Sequence, residues 1–260
     1  MQRKADLNPT SMTAPDDFGS TAVPPASAKP AGLWEDFIDI FVSPSEVFER
    51  RRNYGFFLPL IILTIIVVAI TVVGSSAMQS VIQSDIARGM AAAAKKNPNL
   101  TADQISGSTA LFAKFTPVIA GFATFVMPLI VGVILWVVGK FFSAKEDIGQ
   151  ACMIATYAAF PRVLDAILRL IQAFLLDPSK INGMASISLS PARFLNPDTA
   201  SPVMLGLLSR FDLFTIWATV LLAIGLAVVA RIPKSRAAMA GVLVWVIGSL
   251  PVVLGALRAS

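Results

Sequence analysis

FFLPLIILTIIVVAITVVG, from Phe56 to Gly74, carries no charge over its whole length. A bilayer core about 30 Å thick takes roughly 20 apolar residues at a rise of about 1.5 Å each. This stretch therefore reads as a membrane-spanning helix, and the chain around it agrees. Of 260 residues, 55% are hydrophobic and 14% charged, with mean hydropathy +0.72, far more apolar than an ordinary soluble domain.

Working outward, four further apolar segments have spanning length. They are about 117–139, which contains Pro128; 148–176, which contains Pro161, Arg162, Asp165 and Arg169; 213–230; and 237–257. The expected fold class is all-α: a polytopic integral membrane protein with five transmembrane helices. Pro128 predicts a kink, because it returns no N–H to the preceding turn. Before the first span, residues 1–33 are rich in proline and small polar residues, which predicts a disordered tail. No secretory leader pattern precedes the first span, so the N-terminus is expected to stay attached.

Basic residues orient the spans. Arg50, Arg51 and Arg52 precede the first, Lys140 and Lys145 lie between the second and third, and Arg231, Lys234 and Arg236 lie between the fourth and fifth. Short basic turns favour the cytoplasmic side, which predicts a cytoplasmic N-terminus and an extracytoplasmic C-terminus. The longer opposite loops also carry basic residues, among them Arg88, Lys180 and Arg210. Within the first of them, 76–96 has helical composition and Thr101 with Gln104 matches a capping box.

The segment 34–55 forms its own element. Trp34, Phe37, Ile38 and Phe41 fall at i, i+3, i+4 and i+7, one apolar stripe with Glu35, Asp36 and Asp39 turned away. Ser43, Pro44 and Glu46 match a capped helix start, with Pro44 at the first helical position and Glu46 reaching back. A second short helix then carries Val47 and Phe48 and ends in Arg50, Arg51 and Arg52, whose charges suit a helix C-terminus and anionic headgroups. The expectation is an interfacial amphipathic helix pair that fixes the first span and offers a surface for lipid or a partner. The remainder, 56–260, is one five-span domain.

WEDFIDIFVSPSEVFERRR, ATYAAFPRVLDAIL and RFDLFTIWATVLLAIGL together resemble the Yip (Ypt-interacting protein) family of five-span membrane proteins, particularly its prokaryotic branch. The likeness covers about residues 34–258. For the eukaryotic branch it implies secretory membranes, Rab-type small GTPases, vesicle traffic and membrane shaping. For prokaryotic relatives it implies fold and membrane location.

Enzyme chemistry finds little purchase. The chain has no histidine and one cysteine, Cys152, which excludes His-based metal sites and histidine-assisted nucleophiles. GVILWVVGK from Gly132 lacks phosphate-loop spacing. No cofactor or metal is expected. The net charge of +5 sits beside apolar runs, which fits lipid headgroups rather than nucleic acid. Arg162, Asp165 and Arg169 share one helix face, with Asp212 as a second carboxylate at the entry of the fourth span. Arg162 and Asp165 are expected to pair within the bundle, since unpaired charges there are costly. Gly241, Gly248 and Gly255 recur every seven residues and suit close helix packing. The expected function is a non-enzymatic membrane organiser or adaptor of Yip type. Its partners would be the bilayer and either a cytoplasmic protein or a second copy of the chain. The alternative is a small transporter or channel component using the charges of the third span.

Overall fold

The structure is a computed structural model that describes residues 32–97, 99, 101–177 and 181–259. All but the last two residues of the expected disordered tail, together with Lys180 and Ser260, lie outside the described residues. Every regular element among those described is helical. The chain is an all-α polytopic membrane protein. Three helices are long and apolar enough to cross a bilayer, and five segments qualify when two bent helix pairs are each counted as one span.

Two short helices, α1 (Leu33–Val42) and α2 (Pro44–Arg51), precede α3 (Phe57–Val73). The chain then turns by 87° into α4 (Ser75–Lys96). The turn sits at Gly74, where a Cβ would lie 2.7 Å from the side chain of Leu170. Thr101 starts α5 (Ala102–Phe141) by accepting from the Gln104 N–H at 3.2 Å, and Gln104 Oε1 accepts from the Thr101 N–H at 3.0 Å. The predicted box is formed, and α5 runs on through Pro117 and Pro128 as one helix.

A short turn leads into α6 (Ile148–Ala158), opened by a second reciprocal cap between Asp147 and Gln150. Pro161 then starts α7 (Pro161–Leu175), so the third apolar segment is two helices joined at Ala159 and Phe160. Beyond a loop with a 3-10 turn at Pro191–Phe194 come α8 (Pro202–Ser209), α9 (Leu213–Val229) at 50° to it, and α10 (Lys234–Ala259). The turns after α5 and α9 each hold a residue in the left-handed region, Ser143 at φ 62° and Arg231 at φ 54°.

At the centre stands α6, where every residue from Ala151 to Ala158 is buried. Small residues let its neighbours approach closely. A Cβ on Gly132 of α5 would lie 2.7 Å from the Cα of Cys152, and one on Gly225 of α9 would lie 2.5 Å from Ile154. The predicted glycine face of α10 is only partly used. A Cβ on Gly241 would lie 3.2 Å from the Thr219 carbonyl and the Ala223 methyl, one on Gly248 would be 3.6 Å from Arg210, and one on Gly255 would meet nothing within 4 Å.

Candidate functional site

The α1–α2 pair is built into the bundle rather than laid beside it. Its apolar stripe divides: Phe37 stacks on Phe160 with ring centroids 4.5 Å apart, and Phe41 meets Trp217 edge-on at 5.3 Å. Trp34 and Ile38 face outward at 70% and 69% exposure, with Val42 beyond them. Ile40, Val47 and Phe48 are fully buried, and Phe48 lies against Gly225 of α9. At the far end of α2 the Arg52 carbonyl accepts from Gln150 Nε2 at 3.2 Å. Between the levels of Gln150 and Phe160 the pair climbs about 15 Å along α6 and the junction that follows it.

Of the acidic face expected to point away, Glu35 is exposed and Asp39 partly so, but Asp36 has no exposure and is a buried anchor. Its carboxylate accepts from Arg50 Nη2 at 2.8 Å, from Arg51 Nε, and from the Tyr157 hydroxyl at 3.3 Å. Arg50 Nη2 also donates to Asp39 at 2.6 Å. Two arginines, 14 and 15 residues further along the chain, make burial of Asp36 tolerable, since a buried charge needs both a counter-ion and hydrogen bonds. Arg50 and Arg51 are thus committed to this carboxylate instead of lying free for headgroups. The start of α2 also differs from expectation. Ser43 occupies the cap and Pro44 follows it, but the Ser43 side chain makes no capping bond and Glu46 is exposed.

The third-span charges pair differently from the expected Arg162–Asp165 couple. Arg169 Nε donates to Asp165 Oδ1 at 2.7 Å, Arg169 Nη2 lies 3.6 Å from Asp212 Oδ2, and Nη1 donates to the Met184 carbonyl at 3.2 Å. An acid four residues before a base is the better helical arrangement. Asp212 also caps α9, accepting from the N–H groups of Phe214 and Thr215 at 3.0 and 3.4 Å. Arg162 belongs elsewhere: it lines a cavity of about 430 Å³ with Arg210, a residue the sequence did not single out as a site.

Two further clusters had no sequence signal. Arg88 on α4 donates to Asp85 at 2.5 Å and to the Asn182 side chain at 2.8 Å, and Asp85 accepts from the Met184 N–H at 2.8 Å, tying α4 to the loop after α7. In the turn after α5, Glu146 is 1% exposed and neither carboxylate oxygen has a hydrogen-bond partner. Burial pushes its carboxyl above the ordinary range, against a smaller opposing effect of Lys140. No group of histidine, cysteine or acidic residues among those described could hold a metal ion.

Against known protein families, residues 38–255 match the Yip1 domain, from the middle of α1 to near the end of α10. No curated protein and no solved structure matches the chain.

Proposed function

The chain belongs to the Yip family, and on that premise we propose that it is a non-enzymatic organiser or adaptor that engages a partner or the membrane surface through α1 and α2. The observation behind this reading is the split stripe. Phe37 and Phe41 spend their contacts on the bundle, while Trp34, Ile38 and Val42 stand one turn apart along the outer, exposed edge of the same side of α1. Large apolar groups held outward on an anchored helix favour recognition over packing. It is the α2 end of the pair that lies with both basic turns, since Arg52 is bonded to the first turn of α6 and Ile154 of α6 is level with Gly225 near the end of α9. Short basic turns support a cytoplasmic orientation for that end and hence for the N-terminus.

Site-specific photo-crosslinking from position 38 in native membranes tests the proposal. Crosslinks to one protein or lipid class should vanish in Trp34→Glu, while the folded amount stays constant, because Trp34 is mostly exposed. Unchanged crosslinking in Trp34→Glu would defeat the reading. The pairing of Arg169 with both Asp165 and Asp212 supports a structural role for that cluster and weighs against a flux pathway through it. Proton flux in liposomes that disappears with Asp165→Asn would reverse that preference.

A further inference from the structure

We propose that the cavity enclosed by α3, α5, α6, α7, α9 and α10 and by Arg210 at the end of α8 is a binding site for an anionic amphiphile, with the phosphate or carboxylate headgroup held by Arg162 and Arg210 and the hydrocarbon chain in the apolar remainder. The inference is independent of what α1 and α2 recognise. The cavity holds about 430 Å³, within the range of sites that enclose small organic ligands. Its wall contains two arginines and no carboxylate; Met127, Val131, Leu222 and Val244 make up part of the rest.

The charge balance of the bundle points the same way. Asp165 and Asp212 are both taken by Arg169. The guanidinium of Arg162, whose backbone N–H donates to the Ala159 carbonyl at 3.0 Å, makes no hydrogen bond or ion pair among the described residues, and Arg210 is steadied without being neutralised. Arg210 Nε donates to Ser249 Oγ at 3.0 Å, and its carbonyl accepts from Trp245 Nε1 at 3.2 Å. The two bonds fix Arg210 beside the cavity, and among the described residues the outer guanidinium nitrogens make no hydrogen bond.

Two cations facing one cavity repel each other, and unpaired charge among spanning helices is costly. An anion between them relieves both penalties, and guanidinium groups bind phosphate and carboxylate oxygens in pairs. A small hydrophilic anion would satisfy the arginines and leave the apolar wall uncovered. A lipid satisfies both, and the surrounding bilayer is its source. The helices keep this space open with small residues: Ala155, Ala158, Ala159 and Ala218 line it where larger side chains would fill it.

Trp245 lines the cavity and supplies the signal. The protein is prepared with Trp34, Trp136 and Trp217 changed to Phe and reconstituted into phosphatidylcholine vesicles containing a small fraction of phosphatidylglycerol or phosphatidylcholine brominated on the acyl chain. Quenching by the brominated anionic lipid should exceed that by the zwitterionic one by roughly tenfold in effective affinity, the scale of paired charge-assisted bonds. The preference should disappear in Arg162→Gln with Arg210→Gln and persist in Arg162→Lys with Arg210→Lys. Ala218→Phe keeps both charges but fills the space, and should also lose it. Slow thiol labelling of buried Cys152 verifies the fold of each variant. Equal quenching by the two lipids, or a preference that survives the double glutamine variant, overturns the proposal. Loss of the preference on adding millimolar inorganic phosphate at constant ionic strength would assign the arginines to a free anion and overturn the lipid assignment.

Discussion

Asp36→Asn tests the anchor of α1 and α2 directly. The substitution keeps shape and removes the charge that Arg50 and Arg51 share. Breaking a fully buried pair from one side costs about 3–5 kcal/mol, but the arginines are 31% and 13% exposed, and Arg50 keeps Asp39 at 2.6 Å. Water reaches part of the guanidinium charge, so about 2–4 kcal/mol is expected. That corresponds to a fall of roughly 5–10 °C in the apparent melting temperature. Cys152 is the single cysteine and is buried, so a thiol-reactive fluorophore reports unfolding of the purified protein. Arg51→Gln alone should cost a similar amount, and the Asp36→Asn, Arg51→Gln pair should fall short of the sum by about 1–3 kcal/mol. Arg50→Gln, at a more exposed position, should cost only about 1 kcal/mol. Strict additivity of Asp36→Asn and Arg51→Gln, or no loss in either single variant, would refute the anchor.

Asp165→Asn and Arg169→Gln should be strongly non-additive in the same assay, and Asp165→Asn with Arg162→Gln much less so, because Asp165 bonds to Arg169 while Arg162 faces the cavity and acts on Asp165 only through space. Gly225→Val should lower the melting temperature by several degrees, since overpacking costs about 1–3 kcal/mol and the new Cβ would lie 2.5 Å from Ile154 and 3.1 Å from the Phe48 ring. Gly255→Ala, with nothing within 4 Å, should leave it unchanged. Glu146 governs a pH dependence. Its carboxyl is raised above the ordinary 4.5, by burial first, with Lys140 lowering and Asp147 raising it. A raised acid binds its proton more tightly when folded, so its contribution is full below pH 4.5 and is lost as pH rises through the folded value. Glu146→Gln should therefore stabilise the protein at neutral pH and flatten the melting-temperature profile above pH 4.5; an unaltered profile would place the pH dependence elsewhere.

Much of the helical scaffold could be read in advance because its signals are local. Uninterrupted apolar length, Thr101 with Gln104, and Pro44 after Ser43 each act within one or a few turns, and α3, α5 and α9 lie over the segments those signals mark. Proline acts in two ways: Pro128 lies inside the continuous α5, while Pro161 divides the third segment into α6 and α7. The candidate site was only half legible. Periodicity correctly grouped Trp34, Phe37, Ile38 and Phe41 on one side of α1, yet the bundle takes Phe37 and Phe41 and leaves Trp34 and Ile38 outside.

By itself the sequence determined that this chain is helical, lies in a membrane, and concentrates positive charge in short turns, since these follow from composition and from spacings of a few residues. Tertiary structure alone decided which charges meet. Asp36 is buried because Arg50, Arg51 and a tyrosine 121 residues away converge on it, and a helical wheel contains none of those partners. Arg169 takes two carboxylates from different helices, which leaves Arg162 beside Arg210 at a cavity that no single helix encloses. Burial and pairing are properties of the space between helices, set by which small residues allow close approach, as Gly132 and Gly225 do against α6. Those contacts join residues far apart in the chain, and local periodicity carries no record of them.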